Sequence, residues 1–284
     1  MKIKNFLAIM MVALCAVSCS NDDDSNSVNL SEAVAGTYTV YTSASVMGTS
    51  LVNNNETVTL TAATGNTNAA LSYKGTWGEA STTELTVTAA ANGDYAVKGN
   101  GNITASMGDG AHAGTYEFTV EGTIGADKKT ADLTFAIELG AMGTVTVSSG
   151  LGNAPASLFW KGTYTGYTSA AFSYSPTPTV TEGEKVTITA NEDGTVNVVL
   201  VSGAWGTTTV SNATATVAED GTYSLAGSGI SVIESSHTGT TNNYECTLTG
   251  TTTVDKENVE MTFTLSIMGG TTITFHEGDA PAAE

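Results

Sequence analysis

The chain has 284 residues and is strongly acidic, with 28 Asp and Glu residues against nine Lys and no Arg, a formal net charge of −19. Nucleic-acid binding requires Lys and Arg that displace the counterions of phosphates, so this composition argues against a nucleic-acid partner and disfavours anionic ligands. The charge favours solubility at a crowded surface instead.

The first eighteen residues have the order of a secretory signal peptide. Lys2 and Lys4 form a positively charged end, residues 6–17 form an apolar run, and small residues precede Cys19. The run is too short to span a bilayer stably as a helix. We therefore predict residues 1–18 as a signal peptide, whose removal leaves a net charge of −21 because the segment contains two Lys and no acid.

The segment Ala16-Val17-Ser18-Cys19 resembles a bacterial lipobox. The resemblance implies cleavage before Cys19 and acylation of that cysteine, which anchors the mature protein in a membrane. Two alternatives are cleavage before Cys15, which would place the large Leu14 at the cleavage point, and an ordinary signal peptide with an incidental cysteine. If Cys19 is acylated, Cys246 is the single cysteine left in the mature chain, so no intrachain disulfide forms.

Residues 19–32 are predicted as an acidic tether, because Asp22, Asp23 and Asp24 follow closely behind Cys19. An acidic cluster directly behind a lipidated cysteine resembles the surface-export signal of Bacteroidetes lipoproteins. The resemblance implies a protein that is lipid-anchored in the outer membrane and faces the cell exterior.

The rest of the chain repeats itself with a shift of 126 to 128 positions. Two pairs of matching segments show it best: Gly36-Thr37-Tyr38 with Gly162-Thr163-Tyr164, and Gly75-Thr76-Trp77 with Gly203-Ala204-Trp205. A repeat of about 120 residues has the size of a domain and is too long for a solenoid unit. We predict two homologous domains at 33–149 and 159–278, a linker at 150–158 and a tail at 279–284.

Each half contains eight short, alternating Thr- and Val-rich runs, typical of half-buried antiparallel strands. In the first half they lie near 36–42, 56–62, 69–75, 83–89, 93–105, 114–123, 130–138 and 143–148. In the second half they lie near 162–168, 184–190, 195–202, 207–217, 222–232, 242–253, 258–267 and 270–276. The turn-forming pairs Asn92-Gly93, Asp193-Gly194 and Asp220-Gly221 separate successive runs. Eight sequential strands remove their free edges most simply by closing into an up-and-down barrel; two-sheet β-sandwiches are the alternative.

The lipobox, the acidic cluster and the Gly-Thr-Tyr opening of eight-strand repeats together resemble the calycin-like domains of Bacteroidetes lipoproteins. The resemblance implies an all-β protein of two tandem eight-stranded antiparallel barrels. The chain departs from true lipocalins in two respects. Its Gly-x-Trp triplets follow the third strand of each repeat, and it has no Arg to pack across the tryptophan.

Trp77 and Trp205 occupy matching positions near the predicted barrel ends and are the candidate ligand-binding residues. A tryptophan flanked by glycines can stack on an apolar ligand or on the face of a sugar, whereas the alternative is a ring that plugs the barrel. His112 and His237 lie in matching loops with Asp109 and Glu234 nearby, but one His and one carboxylate are too few for a zinc site.

The chain contains no Gly-x-Ser-x-Gly elbow, no His-Glu-x-x-His and no phosphate-binding loop. We therefore predict no enzymatic activity, no catalytic residues, no metal and no cofactor. The leading hypothesis is a cell-surface lipoprotein that acts as a binding module for a small apolar or glycan ligand; its partner is the membrane, through the N-terminal lipid. The alternative is a structural or adhesive surface protein with solid barrels.

Overall fold

A computed structural model describes residues 29–281 except 47–48, 64–66, 106–112, 173–174, 236–237, 257–258 and 268. The predicted signal peptide, the lipidation site Cys19 and the export cluster Asp22, Asp23 and Asp24 therefore lie outside the described residues. His112 and His237 lie outside them as well.

Each half of the chain forms eight strands. The first eight are β1 (Gly36–Val46), β2 (Thr49–Ala62), β3 (Asn68–Gly75), β4 (Gly78–Ala89), β5 (Tyr95–Ala105), β6 (Gly114–Ile124), β7 (Ala131–Glu138) and β8 (Thr144–Leu151). The second eight are β9 (Gly162–Phe172), β10 (Ser175–Ala190), β11 (Val196–Ser202), β12 (Gly206–Val217), β13 (Tyr223–Glu234), β14 (Thr241–Thr252), β15 (Glu260–Leu265) and β16 (Thr271–Glu277).

Within each half, every strand pairs antiparallel with the next, and the last strand pairs with the first. The result is two closed eight-stranded barrels, barrel 1 (β1–β8) and barrel 2 (β9–β16), which confirms the predicted fold class over the sandwich alternative. Closure leaves no strand of either barrel unpaired along a side, because every strand has two neighbours.

Alternation of side chains explains why these residues form barrels. In β2, Val58 and Leu60 point inward and are buried, while the intervening Thr residues lie nearer the solvent. Phe118 of β6 and Phe135 of β7 pack against each other inside barrel 1, with ring centroids 5.8 Å apart. Large apolar side chains thus fill the interior of this barrel.

The predicted Asn-Gly and Asp-Gly turns are confirmed. Gly93, Gly194 and Gly221 have φ values of 92°, 84° and 83°, a region that glycine adopts without strain. Each joins two strands that pair as neighbours in their barrel, β4 to β5, β10 to β11 and β12 to β13.

Two short helices, not predicted from the sequence, precede the barrels. Helix α1 (Leu30–Val34) comes just before β1, and helix α2 (Ala156–Trp160) comes just before β9. The hydroxyl of Tyr38 donates to the carbonyl of Val34 at 2.7 Å, and that of Tyr164 donates to the carbonyl of Trp160 at 2.9 Å. The tyrosine of each Gly-Thr-Tyr motif therefore holds the preceding helix at one end of its barrel through a hydrogen bond.

The segment that joins the barrels packs against both of them. Asn54 of β2 accepts a hydrogen bond from the backbone N–H of Ala154 at 2.8 Å, and Tyr223 of β13 donates to the Ala154 carbonyl at 3.0 Å. The Tyr223 ring stacks on Phe159 of α2 with centroids 3.6 Å apart, and Val52 of β2 belongs to the same apolar cluster. The segment between β8 and β9 and these contacts form a joint that is built from residues of both halves.

Within the described part of the chain, no helix has the length and apolar character needed to cross a membrane.

Candidate functional site

Trp77 closes the end of barrel 1 opposite α1. It lies in the turn between β3 and β4, is 6% exposed and belongs to the apolar core. Its indole Nε1 donates to Oγ1 of the buried Thr42 on β1 at 3.1 Å. With its polar atom paired inside the protein, the ring has the geometry of a plug.

A buried carboxyl group lies beside this plug. Glu56 of β2 is 3% exposed, and both of its oxygens are paired. Oε2 accepts from the hydroxyl of Tyr73 at 2.7 Å, and Oε1 accepts from the backbone N–H of Thr76 at 2.8 Å. Burial raises the pKa of Tyr73 well above its usual value, and the neighbouring Glu56 raises it further. The hydroxyl of Tyr73 therefore keeps its proton and is the donor in this hydrogen bond.

A β-bulge turns this glutamate toward the interior. The pairing of β1 with β2 shifts between Val40 and Thr42, and Asn55 within the bulge has a φ of 58°. Barrel 2 has the same device, because the pairing of β9 with β10 shifts at Gly183, whose φ is 72°. The next residue, Glu184, is 1% exposed. An inserted residue of this kind re-aims the side chains that follow it.

The corresponding end of barrel 2 has the same residue types but not the same hydrogen bonds. Glu184 Oε1 accepts from the backbone N–H of Gly203 at 3.1 Å. Glu184 Oε2, Trp205 Nε1 and Thr168 Oγ1 are buried, and among the described residues none pairs with them. Trp205 itself is half-buried and packs against Phe172 at a centroid distance of 6.3 Å.

Two sequence differences explain why barrel 2 lacks the hydrogen bonds that Trp77 and Glu56 make in barrel 1. The turn of barrel 1 holds two residues between the paired Gly75 and Gly78, whereas the turn of barrel 2 holds three residues between Ser202 and Gly206. The longer turn carries Trp205 to a different place. In addition, Leu200 pairs with Val186 as Tyr73 pairs with Val58, so an apolar side chain stands where barrel 1 has its hydroxyl donor.

The interior near Trp205 is also more polar than its counterpart. Thr208 and Ser231 are fully buried and hydrogen-bonded to each other at 2.9 Å. The paired positions in barrel 1 are Ala80 and Ile103, both buried and apolar. Barrel 1 is therefore sealed by apolar packing at this end, whereas barrel 2 presents several hydroxyl groups to its interior.

A second candidate site lies on the outer wall of barrel 1. It is a groove of about 870 Å³ along β5, where Gly99 and Gly101 allow a close approach of β4. A Cβ at Gly101 would collide with the backbone carbonyl of Ser81. Polar side chains from five strands line the groove, among them Asn68, Glu84, Lys98, Asn100, Asn102, Glu117 and Glu138.

Cys246 and His276 pack against other residues of barrel 2. Cys246 is buried on β14, and burial raises the pKa of its thiol to about 11. His276 stacks on Tyr167 and lies 3.6 Å from Glu260 through Nδ1 and Oε2. Among the described residues, no group of three or more His, Cys, Asp and Glu could hold a metal ion.

Glu56 and Glu184 were not predicted as site residues, although their positions in the sequence mark them as unusual. They occupy matching positions in the two repeats, and Glu56 has the same alternation parity as the inward-facing Val58 and Leu60. A charged residue on the inward face of two repeated strands is a departure from the pattern that alternation predicts.

Comparisons with known proteins agree with the fold. A model of the calycin-like beta-barrel domain family matches residues 34–148 and again residues 160–279. A crystal structure of a Bacteroides fragilis protein named "putative outer membrane protein" superimposes with a TM-score of 0.61 and 23% identity, covering 88% of this chain and 99% of that chain. At this identity the likeness concerns the fold alone. No curated protein matches the sequence.

Proposed function

Because the chain belongs to the calycin-like β-barrel domain family, with one such domain in each half, we propose that it is a lipid-anchored, non-enzymatic binding protein of the cell surface. Its ligand is a neutral, hydroxyl-rich molecule such as a glycan, held in the groove on barrel 1. The observation that carries this proposal is the groove itself, whose volume of about 870 Å³ lies in the range of small-molecule sites.

The groove's chemistry supports a neutral polyhydroxyl ligand. Asn68, Asn100 and Asn102 each offer an amide that both donates and accepts hydrogen bonds, which matches the hydroxyl groups of a sugar. Three carboxylates line the groove against the single cation of Lys98, so an anionic ligand would be repelled. The absence of catalytic motifs in the sequence supports a role in binding rather than in catalysis.

The anchor and the surface location belong to the same proposal. They are supported by the signal peptide, the lipobox and the acidic cluster, and by the name of the Bacteroides fragilis neighbour. Metabolic labelling with an alkyne fatty acid should tag the wild-type protein and not Cys19→Ala. Replacing Asp22, Asp23 and Asp24 with Ala should reduce cleavage by protease added to intact cells. Acylation that persists in Cys19→Ala would refute the anchor assignment.

Binding in the groove is tested with the mature protein on an array of neutral polysaccharides. The double variant Asn100→Ala, Asn102→Ala should lose the signal while keeping the thermal stability of the wild type, since both side chains are exposed on β5. Ser228→Ala, at the position of barrel 2 that matches Asn100, is the control and should leave binding unchanged. Equal binding by the double variant would exclude this groove as the site.

A structural role is the second candidate function, and one observation favours it for barrel 1. That barrel is closed at one end by α1 and at the other by the fully paired Trp77 and Glu56. A barrel filled in this way is a rigid spacer whatever its outer wall binds. Failure of every array ligand to bind, together with cell-surface exposure, would favour this function.

A further inference from the structure

We propose that the Trp205 end of barrel 2 is a second binding site, which takes a hydroxyl group of a neutral polyol or sugar between Glu184, Thr168 and Trp205. This site is separate from the groove on barrel 1, and the inference stands whether or not that groove binds a ligand. Five buried side-chain polar atoms have no partner among the described residues, and three of them, Glu184 Oε2, Thr168 Oγ1 and Trp205 Nε1, lie together at this end of barrel 2. The other two, Asn54 Nδ2 and Trp160 Nε1, lie in β2 and in α2.

Such atoms are costly to leave unpaired. A buried donor or acceptor without a partner lowers the stability of the folded protein, and an unpaired charged group lowers it more. Glu184 is 1% exposed and Thr168 is fully buried, so their side chains are shielded from bulk solvent. A partner that enters the site recovers this free energy, which makes the site a natural place for a ligand with complementary groups.

Barrel 1 shows that the fold does not require the unpaired state. There, Trp77 Nε1 donates to Thr42, and Tyr73 donates to Glu56 Oε2. Thr42 and Thr168 match in the repeat, as do Glu56 and Glu184. The same groups are therefore satisfied in one copy by the protein and released in the other by the longer turn and by Leu200.

The three side chains lie at the same end of barrel 2. Glu184 pairs with Gly166 on β9, and Thr168 lies two residues further along the same face of that strand. Gly203, whose N–H binds the other oxygen of Glu184, belongs to the same three-residue turn as Trp205. The carboxylate, the hydroxyl and the indole thus face the same end of the barrel.

The chemistry of the three groups selects the ligand class. Glu184 Oε2 needs a donor, the indole N–H of Trp205 needs an acceptor, and the hydroxyl of Thr168 serves as either. A hydroxyl group satisfies the first two at once. A metal ion or an ammonium group cannot accept from the indole, and an anion is repelled by the carboxylate. A neutral polyol or a sugar is the class that fits all three.

The turn that distinguishes barrel 2 lies at the surface beside the unpaired groups. Gly203 and Ala204 are exposed, and Trp205 next to them is half-buried. Thr208 and Ser231 supply further hydroxyl groups to the same barrel interior. A sugar hydroxyl entering here meets a polar lining, with an aromatic ring at the entrance for the sugar face.

The test is nuclear magnetic resonance of the full mature chain, because its three tryptophans give three indole N–H signals. The signal of Trp205 is assigned with Trp205→Phe. Glycerol, methyl α-D-glucoside and methyl β-D-galactoside are titrated as probes. We expect at least one of them to shift the Trp205 signal with saturation. Trp77, which is bonded to Thr42, and Trp160, which is fully buried at the opposite end of barrel 2, should not respond.

Two variants and a matched control make the result specific. Thr168→Val keeps the shape of the side chain and should weaken the probe's apparent affinity roughly fivefold, the loss of about one hydrogen bond. Leu200→Tyr restores the hydroxyl donor of barrel 1 and should abolish the response by occupying Glu184. Thr42→Val changes the matching residue of barrel 1 and should leave the Trp205 titration unchanged.

The possible results distinguish a bound ligand from a buried water molecule, and they distinguish this site from the groove on barrel 1. A water molecule offers the same hydrogen bonds, but it gives no saturable shift with any probe, and that result would overturn the inference. A shift that Thr168→Val leaves at full affinity would overturn it too. The double variant of Asn100 and Asn102 should keep the Trp205 response, so failure of the groove is distinguishable from failure of this site.

Discussion

Tyr73→Phe should destabilise barrel 1 by leaving one oxygen of the buried Glu56 without a donor. The substitution removes the hydroxyl that lies 2.7 Å from Oε2 and keeps the ring that packs 5.5 Å from Phe135. Hydrogen bonds to charged groups contribute about 1.5–3 kcal/mol. With about 4 °C of melting temperature per kcal/mol for a domain of this size, we expect the melting temperature of barrel 1 to fall by roughly 6–12 °C.

The assay is differential scanning calorimetry of the mature protein, with Tyr38→Phe as the comparison. Tyr38 is equally buried but donates to a neutral carbonyl, that of Val34, so its loss should cost about 0.5–1.5 kcal/mol. The two variants remove the same atom from the same barrel and differ in the charge of the acceptor. If Tyr73→Phe costs no more than Tyr38→Phe, the reasoning about the buried carboxylate is refuted.

Three further predictions concern single residues. Cys246 should resist iodoacetamide at pH 8 in the native protein and react after unfolding, because its raised pKa of about 11 keeps the thiol protonated; rapid native labelling would contradict this. Asn55→Gly should be tolerated, whereas Asn55→Val should cost about 1–2 kcal/mol in urea unfolding because of the positive φ; equal effects would argue against the bulge geometry. Asn54→Ala should weaken the joint by removing the acceptor of the Ala154 N–H, so the two barrels should melt further apart in calorimetry; an unchanged thermogram would show that Asn54 does not couple them.

The sequence was sufficient for the fold because several local signals agreed. Alternation, the repeat and the Gly-containing turns all indicated sixteen short antiparallel strands, and sixteen are described. Three strands begin well before their predicted starts: β2 at Thr49 rather than 56, β4 at Gly78 rather than 83, and β10 at Ser175 rather than 184. Asn is a residue that favours turns, but pairing with β1 and a bulge accommodate Asn53, Asn54 and Asn55 within β2. The helices were missed because five residues are too few to show a helical period.

The difference between the two tryptophans could not be predicted, because a shared motif concealed it. Gly-Thr-Trp-Gly and Gly-Ala-Trp-Gly align without a gap, which made Trp77 and Trp205 look equivalent. Strand pairing shows otherwise: Gly75 is the last paired residue of β3, whereas Gly203 already lies in the turn. One additional turn residue makes the difference between the buried ring of Trp77 and the half-exposed ring of Trp205. The position of that residue depends on strand pairing across the sheet, which the local sequence does not reveal.

The way each barrel closes has a consequence for how the chain folds during its synthesis. The ladder that completes barrel 1 joins Val40 to Leu151, and the one that completes barrel 2 joins Gly166 to Glu277, so the first and last strands of each unit must meet. Contacts of such long sequence separation form slowly, since the whole intervening chain must be ordered first. We therefore expect each unit to stay protease-sensitive until its final strand has emerged from the ribosome. A nascent chain that stops before β16 would expose two open edges and be prone to aggregation or degradation.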